Sequence, residues 1–232
     1  MLDDNETSVE AQSQIVETLD IFSLLYRRCD EKEWLTMVTP ETWKEFLGNL
    51  DIALRATQDK DYAADKGNSQ QRPQTSHLPE SLKEPPSYAD FAAFSNSHYI
   101  GGLQQSILAV ESLYRTWTAM DGAQLVFSHE TGFYDSDSAQ HMRHLYKSLD
   151  IQLDPQNILP PDHLSLLLGF LSLLVEYSPA QDVNAFIVEH LDWLPLLYTT
   201  IQERAPQALW LLALTDVLIR YLGFIQGEAK ES

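Results

Sequence analysis

Cysteine occurs once in the 232 residues, at Cys29, so no intramolecular disulfide can form. With no histidine near it in the sequence, Cys29 is expected as an inert helix residue rather than a nucleophile. Basic residues are scarce too, 15 against 34 acids, which leaves a net charge of −19. Such a surface repels phosphate backbones and argues against nucleic acid as a partner, while it attracts cationic ones such as basic peptides. On charge alone, solubility is the plainer reading. Enzyme signatures are missing: there is no glycine-rich phosphate loop, Gly-x-Ser-x-Gly elbow, Cys-x-x-Cys or His-Glu-x-x-His. The start, Met1 to Glu6, is acidic where a signal peptide is basic, so the protein is expected in the cytoplasm. One run, Ala208 to Ile225, is long and apolar enough to weigh as a membrane span. Asp216 and Arg220 interrupt it, however, and charges at mid-bilayer are costly. Their i, i+4 spacing predicts an ion pair on a half-solvated face of the last helix, with no stable membrane insertion.

Hydrophobic residues make up 44%, enough for a core that needs neither disulfide nor structural metal. Ile15, Leu19, Phe22 and Tyr26 recur at helical spacing, after a loose acidic tail expected over residues 1–12. Thr39-Pro40 is a helix start, with Trp43, Phe46, Leu47, Leu50 and Leu54 on one stripe behind it. From Asp65 to Ser76 apolar residues all but vanish, and Pro79, Pro85 and Pro86 follow. This predicts a mobile connection over 65–87, long for a compact domain. It is either an excursion on one domain or a hinge for exchange between chains, so monomer and domain-swapped dimer both stay open. Leu103, Ile107, Val110, Tyr114 and Trp117 predict a further amphipathic helix. Another, ending near Leu149, presents Met142, Leu145 and Tyr146. A proline-containing hinge over 150–163 leads to Leu164 to Val175, apolar on nearly every side and therefore central. Ser178 to Gln181 reads as a capping box before Val183, Phe186, Ile187, His190 and Leu191. Pro195 breaks or kinks what comes next, and the last helix runs from near Pro206 to Gly227, before a tail over 228–232. No β alternation, repeat or long heptad run is present. The predicted class is all-α, one domain of about nine to ten helices over 13–227.

The candidate site is the junction of Pro161, Asp162 and His163, where the interior of the fold is expected to meet solvent. Asp162 has two readings. It caps the central helix with its carboxylate, or it faces a groove and takes a guanidinium bidentately with His163 beside it. Glu111, Tyr114 and Trp117 are expected along one helix. Tyr114 and Trp117 are either core residues or the wall of a groove for an apolar peptide, with Glu111 as a second carboxylate. Metal is a weaker option. His141 and His144 stand at i, i+3 and His163 lies elsewhere, but spacing supplies only two converging ligands where zinc needs three or four.

Taken together, these residues resemble the TorD/DmsD/NarJ family of cytoplasmic chaperones for molybdenum-containing redox enzymes. Tyr88-Ala89-Asp90-Phe91 stands where the family has Tyr-x-x-Leu-Phe, and Glu111-Ser112-Leu113-Tyr114 is similar to its Glu-Ser-Val-Tyr. Asp135 to Ser138 with Met142, Arg143 and Tyr146 looks like its Gly-Asp-Ser…Met-Arg…Tyr helix. Pro161-Asp162-His163-Leu164 matches its Pro-x-Asp-His hinge, and Phe186, His190 and Trp193 its Phe-x-x-x-His-Leu…Trp pattern. The similarity spans roughly residues 15–225. It departs at Leu167 and Gly169, where the family has acidic residues, and after Phe91, where Gly-Pro is absent. The resemblance implies a non-enzymatic, all-helical chaperone without a cofactor of its own. Its partners would be the twin-arginine signal peptide and the apo-form of a molybdenum oxidoreductase subunit, held for cofactor insertion and kept from export until folded. It further implies that Asp162 takes an arginine, His163 orients it, and Tyr114 and Trp117 support an apolar wall. A helical scaffold for a folded redox partner and a metal-dependent hydrolase built on His141, His144 and His163 are the alternatives.

Overall fold

The central helix of the fold is apolar because it is enclosed. A computed structural model of the protein describes residues 2–64, 78–120, 126–153 and 158–231. In it α6 (Leu164–Tyr177) lies along α1 (Leu2–Leu25), the most extensive helix pairing of the molecule. Leu164, Leu167, Leu168 and Leu171 of α6 have no exposed surface, and neither have Leu19 and Phe22 of α1. Each such leucine contributes roughly 1.5–3 kcal/mol of burial relative to an exposed position. α3 (Pro40–Ala64) packs on α1 and on α9 (Leu209–Glu231). α7 (Ala180–His190) and α8 (Leu194–Arg204) cover the rest of α9, and α7 also touches α6. Outside this bundle α2 (Glu31–Met37) leans on α4 (Tyr88–His98) through stacked Trp34 and Phe91, with ring centroids 4.3 Å apart. α5 (Asp137–Ser148) completes nine helices among the described residues, which contain no strand; the all-α class is confirmed.

Local rules place many of the ends. Thr39 Oγ1 accepts the Thr42 N–H at 3.1 Å, so threonine before Pro40 does cap α3. Asp30 caps α2 by accepting from Glu33 N at 2.8 Å. Pro195 sits in the first turn of α8, where its missing N–H costs no bond, so it starts a helix after α7 has ended at His190. The Ser178–Gln181 box is not formed, because Pro179 is the N-cap of α7 and no side chain caps it. Asp216 and Arg220 make the expected pair on α9, at 2.7 Å. By length and composition Leu209–Glu228 is apolar enough to cross a membrane, yet Leu211, Leu214, Val217 and Leu218 are fully buried within the bundle.

Three expectations are corrected. The chain is helical from Leu2, not loose up to residue 12. Of the connection expected to be mobile, residues 65–77 lie outside the described residues, but Glu80–Leu82 forms a docked 3₁₀ turn. Its Leu82 is buried, and the Leu82 carbonyl accepts Trp43 Nε1–H at 3.0 Å. The helix expected through Leu103 and Trp117 does not form. Gly102 turns the chain at φ +85°, Ser106 closes that turn onto Leu103 N and the Ile100 carbonyl, and the chain then runs extended to Val110. There it makes an isolated antiparallel bridge with His163, and only Glu111–Leu113 winds into a 3₁₀ turn. Helical spacing of apolar residues was satisfied here by an extended segment whose backbone bonds go to the start of α6: Leu164 N to Ala109 O at 2.7 Å and Glu111 N to Asp162 O at 3.0 Å.

Candidate functional site

The hinge before α6 is held from three sides. His163, not Asp162, is the N-cap of α6: its Nδ1 accepts the Ser165 N–H at 3.2 Å. Asp162 is 0% exposed and points back to the 3₁₀ turn, where its Oδ2 accepts the Ser112 N–H at 2.7 Å and the Ser112 hydroxyl. Ser136, itself buried, donates to Ser112 Oγ at 2.8 Å. The Pro161 carbonyl accepts the Tyr146 hydroxyl at 3.0 Å. His163 is 7% exposed, and burial, helped by the nearby Arg27 charge, lowers its pKa to about 4. It is therefore neutral at pH 7, as an Nδ1 acceptor must be. Asp162 and His163 do not face a groove.

Glu111 is equally enclosed, at 0% exposure. Its Oε2 stands 2.9 Å from His190 Nδ1 on α7, and its Oε1 stands 2.9 Å from Arg115 Nε without the alignment of a hydrogen bond. Burial raises the Glu111 pKa, opposed by the His190 hydrogen bond and charge and by Arg115. Arg115 also reaches Asp192 and the Glu189 carbonyl. Tyr114 and Trp117 diverge. Tyr114 stacks on Trp193 with centroids 4.9 Å apart, and burial pushes its phenol up to about 12. Trp117 meets Phe127 edge-on at 5.3 Å. They share no wall. The motif residues Glu111, Ser112, Ser136, Tyr146, Pro161, Asp162, His163 and His190 are thus a buried polar network fastening the 3₁₀ turn, α5 and α7 to the mouth of α6. Its bonds join elements far apart in the sequence, while Glu111 Oε1 and Asp162 Oδ1 are buried without a protein hydrogen bond.

An open site does adjoin the hinge. A groove of about 390 Å³ runs between α1, the end of α5 and α6, within the range of ligand sites. Its wall is mainly apolar, from Ile151, Leu153, Leu159, Leu166, Phe170 and Leu173, with Ser165 and Tyr146 on the hinge side. Gly169 lies in its floor, and a Cβ there would meet nothing within 4 Å. Arg27 and Glu33 supply its charged lining and pair with each other, one bond being 3.1 Å. Sequence reading missed both, because Arg27 follows α1 and Glu33 lies on α2, and neither carries a motif. Glycine in an otherwise leucine-rich helix was the visible sign of this groove.

The histidines also fall differently. Neither His144, which is exposed on α5, nor the buried His163 joins His141. His141 meets His190 and Glu189 of α7 instead.

Comparisons with curated proteins and with solved structures gave no match. Residues 90–199 match the family model described as nitrate reductase delta subunit, and that segment contains the whole polar network and most of the groove wall. Over this segment the chain is similar to the nitrate reductase delta subunit family, the NarJ/TorD-like chaperones.

Proposed function

We propose that the protein is a cytoplasmic maturation chaperone, without turnover of its own, that binds the twin-arginine signal peptide of a molybdenum oxidoreductase subunit. It holds the apo-form for cofactor insertion and delays export until folding is complete. The observation that carries this reading is the family match over residues 90–199.

The groove supports it physically. A twin-arginine leader joins two guanidinium groups to an apolar stretch, so its receptor needs an apolar trough with a carboxylate at the edge. Leu166, Phe170 and Leu173 supply the trough and Glu33 the carboxylate. Glu33 is partly exposed and already bound to the guanidinium of Arg27, so a client arginine takes over an existing geometry. The charge of −19 speeds encounter with a cationic leader and makes it salt-dependent. Asp162, His163, Glu111 and Pro161 serve this function by holding the groove's inner wall in place, and Tyr114 by bracing the start of α8 through Trp193.

Calorimetric titration with a synthetic leader peptide tests it. The native peptide is expected to bind, the twin-lysine version to bind more weakly, and Gly169→Phe, which fills the trough, to abolish binding while the helical circular dichroism is kept. Equal binding by Gly169→Phe sinks the groove assignment. Undiminished binding of a client subunit whose leader has been removed favours the scaffold reading instead.

A further inference from the structure

The structure assigns a second site, distinct from the groove: a binding site for one borderline divalent ion of the zinc class, held by His141, Glu189 and His190. Three ligand atoms converge there. His190 Nε2 lies 3.1 Å from His141 Nδ1, His141 Nδ1 lies 3.1 Å from Glu189 Oε1, and Glu189 Oε1 lies 4.0 Å from His190 Nε2. Ligands about 2.0–2.1 Å from a tetrahedral zinc stand roughly 3.3–3.4 Å apart, so small side-chain movements centre an ion among these three.

The second sphere is already built. His190 is buried, and the Glu111 carboxylate beside its Nδ1 selects the tautomer with the proton on Nδ1. Its Nε2 lone pair is then left facing His141 and Glu189. In the ion-free protein His141 Nδ1–H is the donor shared between His190 Nε2 and Glu189 Oε1. The ion takes the place of that proton, which moves to Nε2 of His141. Arg115 in turn braces Glu111, from 2.9 Å. A buried carboxylate behind a histidine whose outer nitrogen meets a second histidine and a carboxylate is the carboxylate–histidine–metal arrangement.

Access and selectivity follow from the exposures. The side chains of His141 and Glu189 are 39% and 56% exposed, so the ion enters from solvent and keeps at least one position for water. Two imidazole nitrogens and one carboxylate suit zinc and its neighbours. Calcium and magnesium require oxygen ligands almost throughout. Sequence spacing pairs His141 with His144; the docking of α5 on α7 pairs it with His190 instead. The bound ion would pin α5 to α7 over the polar network.

The test uses the full chain without a histidine tag. Metal analysis after equilibration with zinc and gel filtration is expected to give one zinc per chain, and competition with a chromophoric chelator gives the affinity. His141→Ala and Glu189→Gln alter exposed side chains and are each expected to lower that affinity by about ten-fold or more. His144→Ala, on the same helix but outside the cluster, is expected to leave it unchanged. Zinc should raise the melting temperature of the native chain and not that of His141→Ala. Absence of stoichiometric zinc at micromolar free metal overturns the assignment. So does native affinity in both ligand variants, or an equal loss in His144→Ala.

Discussion

Ser112 donates twice to one oxygen of Asp162, from its backbone N–H at 2.7 Å and from its hydroxyl, across 50 positions of sequence. This makes Asp162 a fastener between the 3₁₀ turn at Glu111–Leu113 and the mouth of α6. Its other oxygen, Oδ1, is buried without a protein hydrogen bond.

Asp162→Asn therefore separates a structural from a receptor role. The side chain keeps its shape and one acceptor but loses the charge behind two charge-assisted bonds, each worth about 1.5–3 kcal/mol. Stability in urea is expected to fall by about 1–3 kcal/mol, while affinity for a twin-arginine peptide stays at the native value. A large loss of affinity with unchanged stability would return Asp162 to the role of arginine receptor.

Gly169 makes the opposite case. It sits inside α6, where glycine costs about 0.5–1 kcal/mol relative to alanine, and a Cβ there meets nothing within 4 Å. Gly169→Ala should therefore stabilise the protein by about that amount, seen as a higher urea midpoint at unchanged slope. A lower midpoint would mean that the groove is closed in solution.

His163 gives stability a pH dependence with a definite sign. Burial, with the Arg27 charge, lowers its pKa from 6.5 to about 4. Between those values the unfolded chain binds a proton that the native state does not, so stability falls as pH falls. Its contribution is whole above about pH 6.5 and is lost progressively down to about pH 4, on the order of 3 kcal/mol in all. His163→Asn keeps an N-cap acceptor without titrating there. Denaturation at pH 7 and pH 5 should show a smaller acid loss in this variant than in the native chain; equal losses would place the titrating group elsewhere.

Cys29 should be slow to react. Burial foremost, then the Glu33 charge, pushes its thiol up to about 11 against the partial relief from Arg27. Since the thiolate is the nucleophile, labelling by a chromogenic disulfide at pH 8 is expected to run about 100-fold slower than in the denatured chain. Comparable rates would show that the thiol is exposed and unperturbed.

Which parts of this were legible beforehand follows from how local each cause is. The stripe from Trp43 to Leu54, the Thr39 cap and the apolar helix after two prolines were readable because each depends on neighbours within one or two turns. The segment from Leu103 to Trp117 misled for the complementary reason. Its apolar spacing fits a helix, but Gly102 at positive φ and the backbone bonds that join Ala109 and Glu111 to Leu164 and Asp162 hold it out of one. The motif residues were readable as a set, but their burial was not. Asp162 and His163 were expected where the interior meets solvent, with Glu111 as a second carboxylate, and all three are buried. Arg27, Glu33 and Gly169, which border open space, had only the odd glycine to mark them.

By itself the sequence determined an all-helical chain, the position of its central helix and the hinge before it, because i to i−4 bonding and helical periodicity are written in consecutive residues. Tertiary structure alone decided which polar groups are hidden and which meet solvent. The partners Glu111 and His190 stand 79 positions apart, and Ser112 and Asp162 stand 50 apart. No local rule links residues at such separations; only the docking of α5, α6 and α7 brings them within hydrogen-bonding reach.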